Sequence, residues 1–352
     1  MTDLDEALER FQRTALEYGP GLSNHGPMAA EAIVALGHPA LLTGWVDLYA
    51  PRLPPFEPGR PLEPRERRAA LGDATRIPDW VATYQRELEG RDWRELLCAA
   101  LPGLGPGLFA GATHGWLRVA HAVRALGRGE TEPRRRELAF GLGYWAARFQ
   151  RLPGTPGAKP ARSPAEVLRT LEPVAPSRRR PGLFFEAVRG LDEHPGFADS
   201  IASVALAPAD ADAWIGELCR EGARLYLGNP SARVAYAHAV TAPSALRLVA
   251  PLVERGTLRA LAGFAFQASC ALHAVQSGPQ AAEASPSDEV RRLAENPDEI
   301  RYRAACSLRE HAIKLAEACL REDAIAPDPV LRLAAADAAI ELEGAPAWRD
   351  RA

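Results

Sequence analysis

Lysine is nearly absent from this sequence. Of 42 basic residues, Lys159 and Lys314 are the only lysines, and the other 40 are arginine. Cysteine is also sparse. Cys98, Cys219, Cys270, Cys306 and Cys319 are odd in number, widely spread and form no C-x-x-C pair, which excludes a disulfide framework and a zinc ribbon and leaves reduced, mostly buried thiols. No basic block exceeds Arg134 to Arg136 or Arg178 to Arg180, and the formal net charge is −3, so neither nucleic acid nor a membrane surface is expected as a partner. No apolar run approaches the roughly 18 to 20 residues of a membrane span. The opening MTDLDEALER is acidic and amphipathic, unlike a signal peptide, so a cytoplasmic site of action is expected. G-x-S-x-G, Walker, H-E-x-x-H and EF-hand patterns are missing, which removes the common hydrolase and nucleotide signatures. Gly105 to Ala110 (GPGLFA) matches the dinucleotide fingerprint only formally: the preceding RDWRELLCAALP reads as helix and Pro106 separates the glycines, so no Rossmann site is expected.

What is present is helix. With 47% hydrophobic residues the chain can bury a substantial core, and apolar residues recur at three and four residue spacing, as in Leu4, Leu8, Phe11, Ala15 and Tyr18. The same periodicity predicts helices over 28–36, 41–49, 80–88, 93–100, 109–126, 135–149, 211–227, 232–239, 244–253, 258–275, 300–321 and 329–342. No sustained alternating pattern predicts a sheet. The expected fold is therefore all-α, a large helical domain of about a dozen or more helices in two packed halves. Residues 1–150 and 183–352 form the halves, joined by the Pro/Gly/Arg-rich stretch 151–182, with any functional site between them.

The scarcity of lysine makes Lys314 informative, because a buried lysine amine can lose its proton and an arginine cannot. Lys159 sits in the loop-like GTPGAKPARSP. Lys314 sits in REHAIKLAEACL, three residues after His311, so both side chains leave one helix face at a spacing natural for a ligand pair. An exposed cation pair is the rival reading. Of eight histidines, four lie in or at the start of apolar helices at His25 (LSNHGPM), His114 (GATHGWLRVAHAV), His238 (YAHAVTAPSALR) and His311. Any one alone reads better as a core or cap residue. His121 shares a face with His114, and of the two His114 is favoured, because Gly115 lets backbone approach a cofactor or substrate closely. His38 and His194, each before proline, read as loop residues.

These segments resemble the questin oxidase-like family in four places that occur in order: Asn24 to Pro27, His114 with Gly115, His238 to Thr241, and His311 to Lys314. The resemblance implies an oxidoreductase acting with O2 on a small-molecule aromatic or polyketide-like substrate. It further implies non-haem Fe(2+) held by His25, His114, His238, His311 and Lys314, the lysine carrying a CO2-derived carbamate. A neutral amine that adds CO2 becomes an anionic oxygen ligand, which suits iron beside imidazoles. Arg118 and Thr241 are expected to act in catalysis by orienting a ligand or a phenolate oxygen. Trp45, Phe109, Trp116, Tyr144, Trp145, Tyr236 and Phe264 are candidates for the wall of an apolar substrate cavity. The rival readings are a metal-free or NADPH-assisted Baeyer–Villiger oxidase, a non-catalytic helical binding protein, and a zinc hydrolase.

Overall fold

The computed structural model describes residues 3–206, 210–277 and 286–342. The all-α expectation holds: among the described residues the only paired strands are Glu17–Tyr18 and Leu22–Ser23, a two-stranded antiparallel ladder in which Tyr18 faces Leu22. The remaining elements are helices and short 3-10 turns. Six helices begin with side chains that satisfy free backbone amides: Asp92, Ser163, Asp210, Ser287, Asn296 and Asp328 each accept from an amide in the first turn of the helix that follows.

In the first half, the helices Ile77–Leu88 and His114–Arg128 both pack on Glu132–Ala147. Glycine sets the closeness. A Cβ at Gly143 would stand 2.7 Å from the Val81 nitrogen, and one at Gly141 would stand 3.0 Å from the Val119 nitrogen. In the second half, Ala211–Gly228 packs on Arg233–Ser244, which packs on Arg255–Gln276, and Glu310–Ile325 packs on Pro329–Glu341. The 22-residue Arg255–Gln276 helix is, by length and composition, apolar enough to cross a membrane, a property the run-length reading of the sequence did not register. In this fold 78% of its most apolar window is buried inside the protein.

The halves meet along the helices that matter for the site. Gly26–Ala35 packs against both His114–Arg128 and Glu310–Ile325, and Arg233–Ser244 packs against Glu310–Ile325. One continuous hydrophobic cluster runs through both. Trp116 and Trp145 lie in it fully buried, and their indole N–H groups donate to the carbonyls of Ala242 (2.9 Å) and Gly107 (3.0 Å). Each ring thereby contributes apolar burial of roughly 1.5–3 kcal/mol without an orphaned donor.

Two of the helix boundaries that depart from the periodicity place site residues. The expected 300–321 helix breaks at Ser307, whose backbone is extended and whose carbonyl accepts from the Trp45 indole at 2.9 Å. The chain restarts as Glu310–Ile325, which puts His311 in a first helical turn. The expected 109–126 helix starts only at His114. Gly111, Ala112 and Thr113 before it have φ of 55°, 57° and 72°, and the last two are the only left-handed non-glycine residues among those described. Such backbone costs about 1–3 kcal/mol at a non-glycine residue and persists where surrounding structure over-determines it.

Candidate metal centre

Each histidine of the centre is delivered by a different local device. Before His25, the Asn24 side chain donates to the Ala15 carbonyl (2.9 Å) and to Thr14 Oγ1 (3.0 Å), while its Oδ1 accepts from the Gly26 amide (2.9 Å). This closes a tight turn that aims His25 from the start of Gly26–Ala35. Pro27 in the first turn, where no amide is needed, begins the helix. Phe11 presses on Gly26 so closely that a Cβ there would meet its ring at 2.4 Å. His114 is the first residue after the left-handed turn, and its Nδ1 lies 2.5 Å from the Gly111 carbonyl. His238 sits mid-helix with Nδ1 3.2 Å from Thr113 Oγ1. His311 and Lys314 project from one face of Glu310–Ile325.

The four imidazoles converge. Ring centroids are 4.5 Å apart for His25 and His114, 4.5 Å for His114 and His238, 5.1 Å for His238 and His311, and 4.6 Å for His311 and His25. Adjacent rings are steeply inclined, at 63° to 82°. Nε2 of His25 is 2.7 Å from Nε2 of His114, and Nε2 of His238 is 3.2 Å from Nε2 of His311. Ligating-type atoms of His25, His114 and His311 all lie within 4.8 Å of one another. Two imidazoles on one metal at about 2.05 Å would place their nitrogens about 2.9 Å apart at a right angle and about 3.3 Å apart at the tetrahedral angle. The separations of 2.7 and 3.2 Å lie close to those values.

Burial completes the set. His25, His114, His238, His311 and Lys314 are 3%, 7%, 1%, 5% and 2% exposed. Desolvation, with the Lys314 charge next, pushes His114 down to about 3 and His25 and His311 well below the usual imidazole value. In His238 desolvation is followed by the charges of His114 and His311. The four rings are therefore neutral near pH 7, the form that ligates metal. Lys314 is lowered by burial from 10.5 to about 7, against the opposing pull of Glu310. Its Nζ has no hydrogen-bond partner, nor have Nδ1 of His25 and His311. An orphaned buried amine among lone pairs is expensive for a purely structural cluster. A cation among the Nε2 atoms, and an anionic group built on Nζ, would remove that expense, so the residues present fit a metal and a carbamylated lysine.

The other expected residues have these partners. Arg118 Nε and Nη2 donate to Glu137 at 2.6 and 3.0 Å in a fully buried ion pair between helices. Thr241 spends its hydroxyl on the Ala237 carbonyl of its own helix, at 2.9 Å. The groups in contact with ring nitrogens of the cluster are the Gly111 carbonyl, at His114 Nδ1, and the Thr113 hydroxyl, at His238 Nδ1, neither of which was expected from the sequence. Gly115 admits no cofactor; what approaches it is the Trp145 backbone, with Cα 2.7 Å from where a Cβ would be. Among the expected wall aromatics, Trp45, Trp116 and Trp145 are core residues with bonded indoles. The aromatic set against the histidines is Phe184, half-buried, with its ring 6.3 Å from that of His238. No feature of LFFEA marked it. Of the remaining histidines, His121 bonds Glu31, His273 bonds Tyr236, and His194 bonds the Glu172 carbonyl. His38 lies beside the Tyr302 ring.

No protein-family model and no curated protein matches this chain. The site is thus read from its own chemistry. Glu310 adds one further charged group, its Oε1 3.6 Å from His25 Nδ1, with burial raising its carboxyl above the usual range. A cavity of about 770 Å³ lies elsewhere, lined by Gln12, Phe56, Arg135 and Phe140 among others. It shares no residue with the histidine cluster.

Proposed function

We propose that this protein is a mononuclear non-haem iron oxygenase that oxidises or cleaves a ring of a polycyclic aromatic or polyketide-like substrate with O2. The observation that carries the reading is the convergence of four neutral imidazoles from four separate helices, with a buried lysine amine on the His311 helix that has no hydrogen-bond partner. The order of the four motifs that resemble the questin oxidase-like family supports the choice of oxygenase chemistry. Bound iron would supply one-electron chemistry toward O2 that no side chain offers.

The chain's own residues would prepare the site. The Gly111 carbonyl and Thr113 hydroxyl accept Nδ1–H from His114 and His238, which leaves each Nε2 lone pair aimed inward. Lys314, whose lowered value of about 7 leaves a large share of the amine unprotonated near neutral pH, would add CO2 through its Nζ: an N–C bond forms, one C–O π bond becomes carboxylate charge, and one proton is released. The four imidazole nitrogens and a carbamate oxygen on Lys314 would then be the donors that hold the iron. Phe184 is the aromatic surface available beside His238 for a flat substrate.

One rival is weakened by the same chemistry, and another is separated from the proposal by its independence of O2. A metal-free oxidase that uses these histidines as acids needs protonated imidazole, and burial drives all four the other way. A zinc hydrolase draws on the same imidazoles and differs in needing no O2. The test is metal analysis of anaerobically reconstituted protein, followed by oxygen uptake with anthraquinone-type substrates with and without NADPH. Stoichiometric iron with substrate-dependent O2 consumption is expected. Turnover by metal-free protein, or substrate hydrolysis without O2, would sink the reading.

A further inference from the structure

About 9 Å from the histidine cluster, along the same four helices, lies a second layer made of charge. Its members sit six or seven residues after the ligands: Glu31 after His25, His121 after His114, Ser244 after His238, and Glu317 after His311. Six residues of α-helix advance about 9 Å, so the four positions form a floor beneath the four rings. The bonds within it cross between helices. His121 Nδ1 meets Glu31 Oε2 at 2.7 Å, and Arg124 Nε donates to Glu31 Oε1 at 2.7 Å. Arg124 Nη1 donates to Glu317, and Arg321 Nε donates to the same carboxylate at 3.0 Å. Arg321 Nη1 then reaches the Ser244 carbonyl at 2.7 Å, and Glu322 accepts from the Ser244 hydroxyl at 2.7 Å. Glu31, His121 and Glu317 are 1%, 6% and 6% exposed. The network therefore joins Gly26–Ala35, His114–Arg128, Glu310–Ile325 and Arg233–Ser244 without a gap.

We propose that Arg124, with Glu31 and Glu317, is the positioning device of the metal centre: it fixes the register of the ligand-bearing helices, and hence the Nε2 separations. This rests on the metal reading above. The physical reason is geometric. The guanidinium is a planar fork that holds one carboxylate with Nε and Nη2 and a second with Nη1, so the helices of His25, His114 and His311 can neither slide nor rotate past one another independently. Apolar packing alone would tolerate such small slips, because it is non-directional. A lysine here would keep the charge but lose the fork.

The experiment is cobalt(II) titration of metal-free wild-type protein and of Arg124→Lys and Arg321→Gln, followed by visible absorption, with circular dichroism and urea unfolding in parallel. The wild-type titration stands as the separate check on the metal reading: if wild type takes up no cobalt or iron, that reading fails. Given wild-type binding, Arg124→Lys is expected to stay helical, bind cobalt about 10- to 100-fold more weakly, and show altered ligand-field bands. Arg321→Gln, which removes the guanidinium between Glu317 and the Ser244 carbonyl but leaves Arg124 on both of its carboxylates, is expected to give a smaller change of the same kind. Folded variants with wild-type affinity and bands overturn the positioning role. So does failure of both variants to fold, which would make the layer part of general stability.

Discussion

Gly115→Ala tests the geometry of the site most directly. The added Cβ would stand 2.7, 2.9 and 3.1 Å from Cα, Cβ and N of Trp145, all fixed to the backbone of a facing helix. Trp145 is itself fully buried and bonded to the Gly107 carbonyl at 3.0 Å, so no side chain can rotate out of the way. Relief requires the two helices to separate by some tenths of an ångström. Overpacking of this kind costs about 1–3 kcal/mol, offset by less than the roughly 1 kcal/mol that alanine gains over glycine in a helix interior, since residue 115 lies in a first turn. A net loss of about 1–2 kcal/mol is expected. His114 is the adjacent residue, so its Nε2 must shift with the helix, and cobalt affinity should fall about tenfold, which corresponds to about 1.4 kcal/mol. The assays are urea unfolding and metal titration. Gly127→Ala is the matched control: it lies in the same helix with nothing within 4 Å of its added Cβ, and should be neutral or slightly stabilising. If Gly115→Ala unfolds at the wild-type urea concentration and binds cobalt as wild type does, the close-approach argument is wrong.

Lys314→Arg should purify without bound metal, because guanidinium stays protonated and cannot form a carbamate; wild-type iron content by elemental analysis would refute the ligand role. Metal-free protein should lose stability as pH falls below about 6.5. There the unfolded chain takes up protons on His25, His114, His238 and His311 that the folded state, with His114 held down to about 3, refuses. The slope should approach about 1.4 kcal/mol per pH unit for each histidine, read from urea midpoints, and a flat profile from pH 7 to 5 would contradict it. Lys314 contributes with the same sign in a higher window, between its folded value of about 7 and its unfolded 10.5, and Lys314→Met should flatten the profile there. Under native conditions only Cys98 and Cys306 should react with a thiol reagent, since Cys219, Cys270 and Cys319 are buried and desolvation raises their thiols; five rapid reactions would show that the core opens.

The sequence by itself determined that this chain is helical, because three and four residue apolar spacing is a local property that any helix must satisfy to bury a face. It also singled out Lys314, because composition made a lysine exceptional, and it placed His311 beside it, because spacing of three fixes a shared face. It could not set helix ends at Ser307 or Thr113. There the deciding partners are Trp45, 262 residues from Ser307, and a run of left-handed backbone stabilised only in the finished fold. Nor could it separate His114 from His121, which have the same periodicity and lie on one helix. Tertiary structure turned the first toward His25 and the second toward Glu31. The partners of Arg118 and Thr241 were hidden for the same reason: the sequence suggests a ligand-orienting role, and only the fold shows Glu137 and the Ala237 carbonyl taking their hydrogen bonds. Which lone pairs face one another depends on four helices from distant parts of the chain meeting in one register, and that register is a property of packing, which no local pattern encodes.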